Sequence, residues 1–274
     1  MLDQEFMRNA LLAGSFIGLA CGACGWFVVM RGQVFAGDAL SHVAFPGALA
    51  AAAAGVDPRV GLFVASIAAA GGIGLIARGR LQTGRLTLGP ADDAAIGITF
   101  TFILALGVFF LTRFSLGSQG SAGIEAARTL FGSIFGLGGG EARLAALVAL
   151  VVLACVLAIS RPLLFASVAP QVAAARGVPT RLLDLSLLVL VGVIAAEASQ
   201  AIGALLLLGL LTAPAAAAQR LVNRPAAGVA LACLLALASV WLGLVLAYLV
   251  PAIPPSSAII GFAVAMHATA GVLR

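Results

Sequence analysis

Gly37-Asp38-Ala39-Leu40-Ser41-His42-Val43-Ala44-Phe45-Pro46-Gly47 opens a run of apolar and small residues that continues to Gly55. On a helix, residues four apart lie one above the other on a single face, so Asp38 and His42 share that face. Their surroundings read as the inside of a bilayer. An ionisable side chain in a spanning segment costs about 2.5–3.5 kcal/mol on insertion scales, and such residues face a bundle interior or a water path. A carboxylate oxygen and an imidazole nitrogen aimed at one point suit a divalent transition metal. Pro46 has no N–H, so the carbonyl of His42 loses its helical donor, within a stretch also bounded by Gly37 and Gly47. The expectation is a helix break beside a transport pathway, as transporters use to place substrates. The same residues also fit a buried, hydrogen-bonded Asp–His pair that serves only helix packing.

The rest of the chain sets the context for that pair. Of 274 residues, 62% are hydrophobic and only 9% charged, with a mean hydropathy of +1.17. A soluble domain carries roughly 25% charged residues, and crossing ~30 Å of hydrocarbon as a helix takes ~20 apolar residues. Nine such runs lie near 10–30, 34–54, 60–77, 92–112, 144–160, 182–198, 201–219, 226–250 and 256–273. No strict alternation marks a β-barrel. The fold class expected is all-α, a polytopic membrane helix bundle in one domain over 1–274. The 33 glycines, with alanine runs such as Ala50 to Ala54, let helix backbones approach closely. The first apolar run lacks a strongly basic leader and is too long for a cleavable signal, so it reads as a retained helix.

All fifteen basic residues are arginines. If all nine runs span, the odd-numbered loops and the C-terminus carry ten, from Arg31 to Arg274, and the other side carries five: Arg8, Arg59, Arg113, Arg128 and Arg143. The positive-inside rule then puts the odd loops and the C-terminus in the cytoplasm. The net charge of +5 reads as topology signalling and lipid headgroup contact, not nucleic-acid binding. Two connections are more than turns. Leu130-Phe-Gly-Ser-Ile-Phe-Gly-Leu137 is apolar but too short to span, so a re-entrant or interfacial segment is expected. In 161–181, Pro170 suits a first helical turn and Gly177 a stop, which outlines a short cytoplasmic helix for docking a soluble partner.

Other ionisable residues read more plainly. Glu197, before Ser199 and Gln200, is expected as a solvated acid at the outer interface. Asp184 near Arg181, and Asp92 and Asp93 after Pro90, suit helix N-termini. His267 reads as a single satisfied histidine, and Pro214 as a kink that frees the carbonyl of Leu210. Cys21, Cys24, Cys155 and Cys233 read as small buried hydrophobes. There is no phosphate loop, no nucleophile elbow and no H-E-x-x-H, so the chain is not expected to be an enzyme or to hydrolyse ATP itself. Adjacent Ser41 and His42 point about 100° apart on a helix, which argues against an intramembrane hydrolase using them as nucleophile and base.

Taken in order, four stretches resemble the permease subunits of bacterial ABC importers for zinc, manganese and iron. They are Gly37-Asp38-Ala39-Leu40-Ser41-His42 with Pro46-Gly47; Asp93-Ala-Ala-Ile96-Gly97; Leu130-Phe131-Gly132-Ser133; and Gly177-Val-Pro179 through Asp184, with Ile202-Gly203 and Ala213-Pro214-Ala215-Ala216. The resemblance implies a permease in the cytoplasmic membrane, working as a homodimer or with a sister permease. A separate cytosolic ATPase would power it, and an extracytoplasmic metal-binding protein would deliver the ion. Asp38 and His42 match positions implicated in handling the metal, a transported ion and not a resident cofactor. The 161–181 loop matches the segment that meets the ATPase, with Pro170, Gln171, Arg176 and Gly177 as its contact residues. Where many relatives have Asp-Pro-Glu, this chain has Ala169-Pro170-Gln171, so packing and Arg176 replace two acids. The alternative is a stand-alone proton-coupled metal transporter using Asp38, His42 and Glu197.

Overall fold

The computed structural model describes residues 4–77, 90–117 and 132–272. Each of the nine apolar runs forms a helix, and the described residues hold no strand. In chain order these are α1 (Glu5–Met30), α2 (Val34–Ala53), α3 (Pro58–Ala77), α4 (Pro90–Gly117) and α5 (Gly139–Val168). After a short α6 (Pro170–Ala175) come α7 (Thr180–Ala201), α8 (Ala204–Leu221), α9 (Pro225–Leu249) and α10 (Pro255–Val272). Six are long and apolar enough to cross a bilayer whole: α1, α2, α5, α7, α9 and α10. The other three carry shorter apolar stretches, Pro58–Gly74, Phe100–Phe110 and Leu206–Leu221.

Burial sorts the helices into layers. In α1 and α2, 72% of the apolar stretch is buried inside the bundle, against 33% in α5 and 28% in α10. α1 packs on α5, α7, α8 and α9, while α2 is ringed by α3, α4, α7 and α8. Small residues permit both central positions. A Cβ added to Gly22 of α1 would lie 2.7 Å from the Ala232 carbonyl oxygen of α9, and one on Gly25 would strike the Leu211 carbonyl of α8. Between α2 and α3, a Cβ on Gly47 would lie 2.7 Å from the Gly61 carbonyl oxygen. Polar side chains tie the same helices across their contacts: Gln219 Nε2 donates to the Trp26 carbonyl at 2.8 Å, and Trp241 Nε1 to Ser15 Oγ at 2.8 Å.

Two connections differ in detail from the sequence expectation. The fifth helix does not stop near 160 but runs through Pro162 to Val168. It ends at Ala169 because a residue before proline is pushed out of the helical region; Ala169 has φ −137° and ψ 69°. Pro170 then opens α6 in its first turn, and Gly177 at φ +78° turns the chain into α7, as read from the sequence. In the stretch 130–137, Leu130 and Phe131 lie outside the described residues. The remainder is a single 3-10 turn, Ile134–Gly136, at the end of the bundle where α1 begins. Ile134 is buried there, Phe135 meets the ring of Phe6 edge-on at 5.3 Å, and the Ser133 N–H donates to the Gln200 carbonyl at 3.1 Å. Of the four cysteines, Cys21 and Cys24 are buried as expected, but Cys155 is exposed on the outward face of α5.

The α2–α3 contact gives a direct test of small-residue packing. Overpacking a close contact costs about 1–3 kcal/mol. Gly47→Val is expected to lower the melting temperature of the purified protein in detergent. Gly71→Ala, whose added Cβ meets nothing within 4 Å, is expected to leave it unchanged.

Candidate functional site

Asp38 is the fifth residue of α2 and His42 the ninth of its 20. At 1.5 Å per residue they sit about 6 and 12 Å along the helix from its start. This places both in the half of α2 that follows the α1–α2 turn. His42 Nε2 lies 3.6 Å from Asp38 Oδ1. That is an ion-pair distance but too long for a hydrogen bond, so the two groups do not satisfy each other. Ser41 donates its hydroxyl to the Asp38 carbonyl at 2.7 Å, a local bond that leaves the carboxylate free. The imidazole rests on Phe100 of α4, ring centres 5.2 Å apart, beside a shallow recess lined by Phe35, Phe100 and Thr101. Among the described residues no group of three or more His, Cys, Asp or Glu side chains gathers, so those residues offer two side-chain ligands here.

The helix break expected around Pro46 and Gly47 is absent: α2 is continuous from Val34 to Ala53. Pro46 still removes the donor for the His42 carbonyl, but neighbours hold the backbone in register. Pro46 and Phe45 pack where Gly107 of α4 has no side chain, and Gly47 meets Gly61 on the other flank. Pro214 likewise stays inside an unbroken α8. His267 lies on α10, which packs on α8 and α9, away from the α2 pair. Its Nδ1 is buried without a partner among the described residues, so it is not the satisfied histidine expected. The side chains of Asp92 and Asp93, at the head of α4, lie outside the described residues.

Two other acids, Glu197 and Asp184, are ion-paired across long sequence separations, which their local context did not suggest. Glu197 is not a solvated interfacial acid. It is 2% exposed, and its Oε1 accepts from Arg59 Nη2 of α3 at 2.5 Å. Asp184 turns away from Arg181 to Arg31, at the end of α1, and both are buried. Arg31 also donates through Nε to Ser167 Oγ at 2.7 Å, on the last turn of α5. α7 is therefore held by one arginine near each end. Outside that grip, α6 buries Ala173 and leaves Gln171, Arg176 and Gly177 exposed, with Pro170 half-buried.

Long apolar helices packed through glycine and alanine, six of them able to cross a bilayer, define an integral multi-pass membrane protein. The chain belongs to the ABC 3 transport family, which it matches over residues 3–272. It is 30% identical over 224 residues to the manganese transport system membrane protein MntC of Halalkalibacterium halodurans, covering 82% of this chain and 72% of that one. It is also 30% identical over 219 residues to the manganese import system permease protein ScaB of Streptococcus parasanguinis, covering 80% of this chain and 73% of the other. A solved structure, PsaBC from Streptococcus pneumoniae in complex with Fab, superposes with a TM-score of 0.82 at 26% identity over 98% of this chain and 92% of that one.

The Arg59–Glu197 pair is open to a two-step test. Removing one partner of a buried pair costs about 3–5 kcal/mol because the other charge is stranded, whereas replacing both by apolar residues is often neutral. Glu197 is expected to behave this way. Arg59→Met should strongly destabilise the purified protein to heat, and Arg59→Met with Glu197→Leu should recover most of the loss.

Proposed function

We propose that this chain is the membrane permease subunit of an ATP-binding-cassette importer that moves a divalent transition metal ion, zinc, manganese or iron, across the cytoplasmic membrane. The observation that carries the reading is the Asp38–His42 pair: two metal-type donors on one face of a central helix, close but not bonded to each other. A site that must release its ion cannot be a closed four-ligand cage of the structural kind. Asp38 and His42, with the freed His42 carbonyl and water, would bind weakly enough to let go. Pairing with a second copy of the chain would bring two more donors to the same ion. Oxygen and imidazole ligands tolerate all three metals. Manganese is the first cargo to test, since the relatives MntC and ScaB are named for it.

The remaining parts follow from the same reading. An extracytoplasmic metal-binding protein delivers the ion. A cytosolic ATPase docks on α6 through Pro170, Gln171, Arg176 and Gly177, with Ala169-Pro170-Gln171 meeting it by packing in place of carboxylates. Exposed apolar side chains on the outer helices, such as Leu147 and Val151 of α5, face lipid. A stand-alone proton-coupled transporter would rely on Glu197 as a free carboxyl, and its bond to Arg59 argues against that use.

In cells dependent on this importer for manganese, Asp38→Ala and His42→Ala are expected to cut uptake by at least about ten-fold, the scale of losing a metal-supporting group. The amount of permease in the membrane should stay unchanged. Wild-type uptake in both variants would contradict the site assignment. Uptake by the purified chain alone, driven by a proton gradient without ATP, would contradict the importer reading.

A further inference from the structure

Arg31 ties the end of α1 to the facing ends of α5 and α7, more than 130 residues further along the chain. Through Nη1 it pairs with Asp184 in the second turn of α7, and through Nε it donates to Ser167 Oγ in the last turn of α5 at 2.7 Å. Its Nη2 also reaches the Leu163 carbonyl of α5 at 3.4 Å. These are the two helices between which α6 is strung: α5 ends at Val168, α6 spans Pro170–Ala175, and α7 begins at Thr180. Arg31 itself follows α1 directly, three residues before Val34 opens α2 and seven before Asp38. Arg31 and Asp184 are 8% and 9% exposed, so the guanidinium lies inside the protein and not in a headgroup layer.

A guanidinium can hold this position in a way an ammonium cannot. Its planar fork presents donors in fixed directions, so one side chain serves a carboxylate, a hydroxyl and a carbonyl at once. Ser167 also donates its hydroxyl to the Leu163 carbonyl at 2.6 Å, which ties the α5 end of the network to its own helix. A displacement of α6 moves the ends of α5 and α7 on either side of it. Arg31 links those ends to the α1–α2 turn, and so to the start of the helix that bears Asp38 and His42.

We infer that Arg31, clamped by Asp184 and Ser167, is a positioning residue that transmits movement of α6 to α2 and so couples ATP hydrolysis to passage of the metal ion. The inference rests on the importer reading above. A purely structural ion pair would lower the amount of folded complex and reduce hydrolysis and uptake together. A coupling residue changes their ratio.

The test uses the complete complex in proteoliposomes, with Mn(II) as cargo, and measures ATP hydrolysed per ion imported. Asp184→Asn and Arg31→Lys are expected to raise that ratio by about three-fold or more, a change on the scale of mutations along coupling networks. Ser167→Ala, which keeps the Arg31–Asp184 pair and removes only the bond to α5, is expected to raise it by a smaller factor, and it guards against loss of folding in the other two. An unchanged ratio in Ser167→Ala and in whichever charged variants assemble would overturn the proposal. Failure of the wild-type complex to import any of Mn(II), Zn(II) and Fe(II) with ATP would overturn the importer reading, and the coupling role with it.

Discussion

Lipid tails solvate a leucine side chain as well as a neighbouring helix does, so burial of apolar surface does little to hold helices together in a bilayer. What remains is close contact, and small residues permit it. Gly22 against Ala232, Gly25 against Leu211 and Gly47 against Gly61 bring backbones near enough for α1 and α2 to be enclosed by their neighbours. The proposed metal site depends on that enclosure. If α2 lay on the outside of the bundle, Asp38 and His42 would face hydrocarbon, where a charge is costly and has no route across.

Enclosure also divides the ionisable residues into two kinds. Asp184 and Glu197 are each bonded to an arginine from another helix, and these pairs grip α7 near its two ends. Each pair joins two helices, although Glu197 Oε2 is buried without a partner among the described residues. Asp38 and His42 stand 3.6 Å apart and leave donor and acceptor capacity open. That is the arrangement the proposed transient ion site requires. The continuous α2 sharpens the picture further: the pair is presented from a rigid helix, and no broken segment is needed to expose it.

Much of this was readable in the residues. Among the described residues each of the nine apolar runs lies in a helix, and six of these are long and apolar enough to span a membrane. Pro170 and Gly177 marked the limits of α6 because each acts on the backbone locally. The pairs Arg31–Asp184 and Arg59–Glu197 were not readable. Their partners are 153 and 138 residues apart, and nothing near Glu197 or Asp184 in the chain names the arginine that meets it. The only signal was the cost of an isolated acid in an apolar helix, which says that a partner exists and not which one. The break expected at Pro46 failed for a related reason. A proline removes one hydrogen bond, but whether the helix bends depends on neighbours such as Gly107 and Gly61, which belong to other elements.

The chain contains two histidines, His42 and His267, on helices in different parts of the bundle, and this makes the central claim directly measurable. X-ray absorption at the manganese edge, on the purified complex loaded with Mn(II), reports whether an imidazole binds the ion. The account predicts an imidazole signature that is lost in His42→Ala and kept in His267→Ala. An imidazole signature that survives His42→Ala would contradict it.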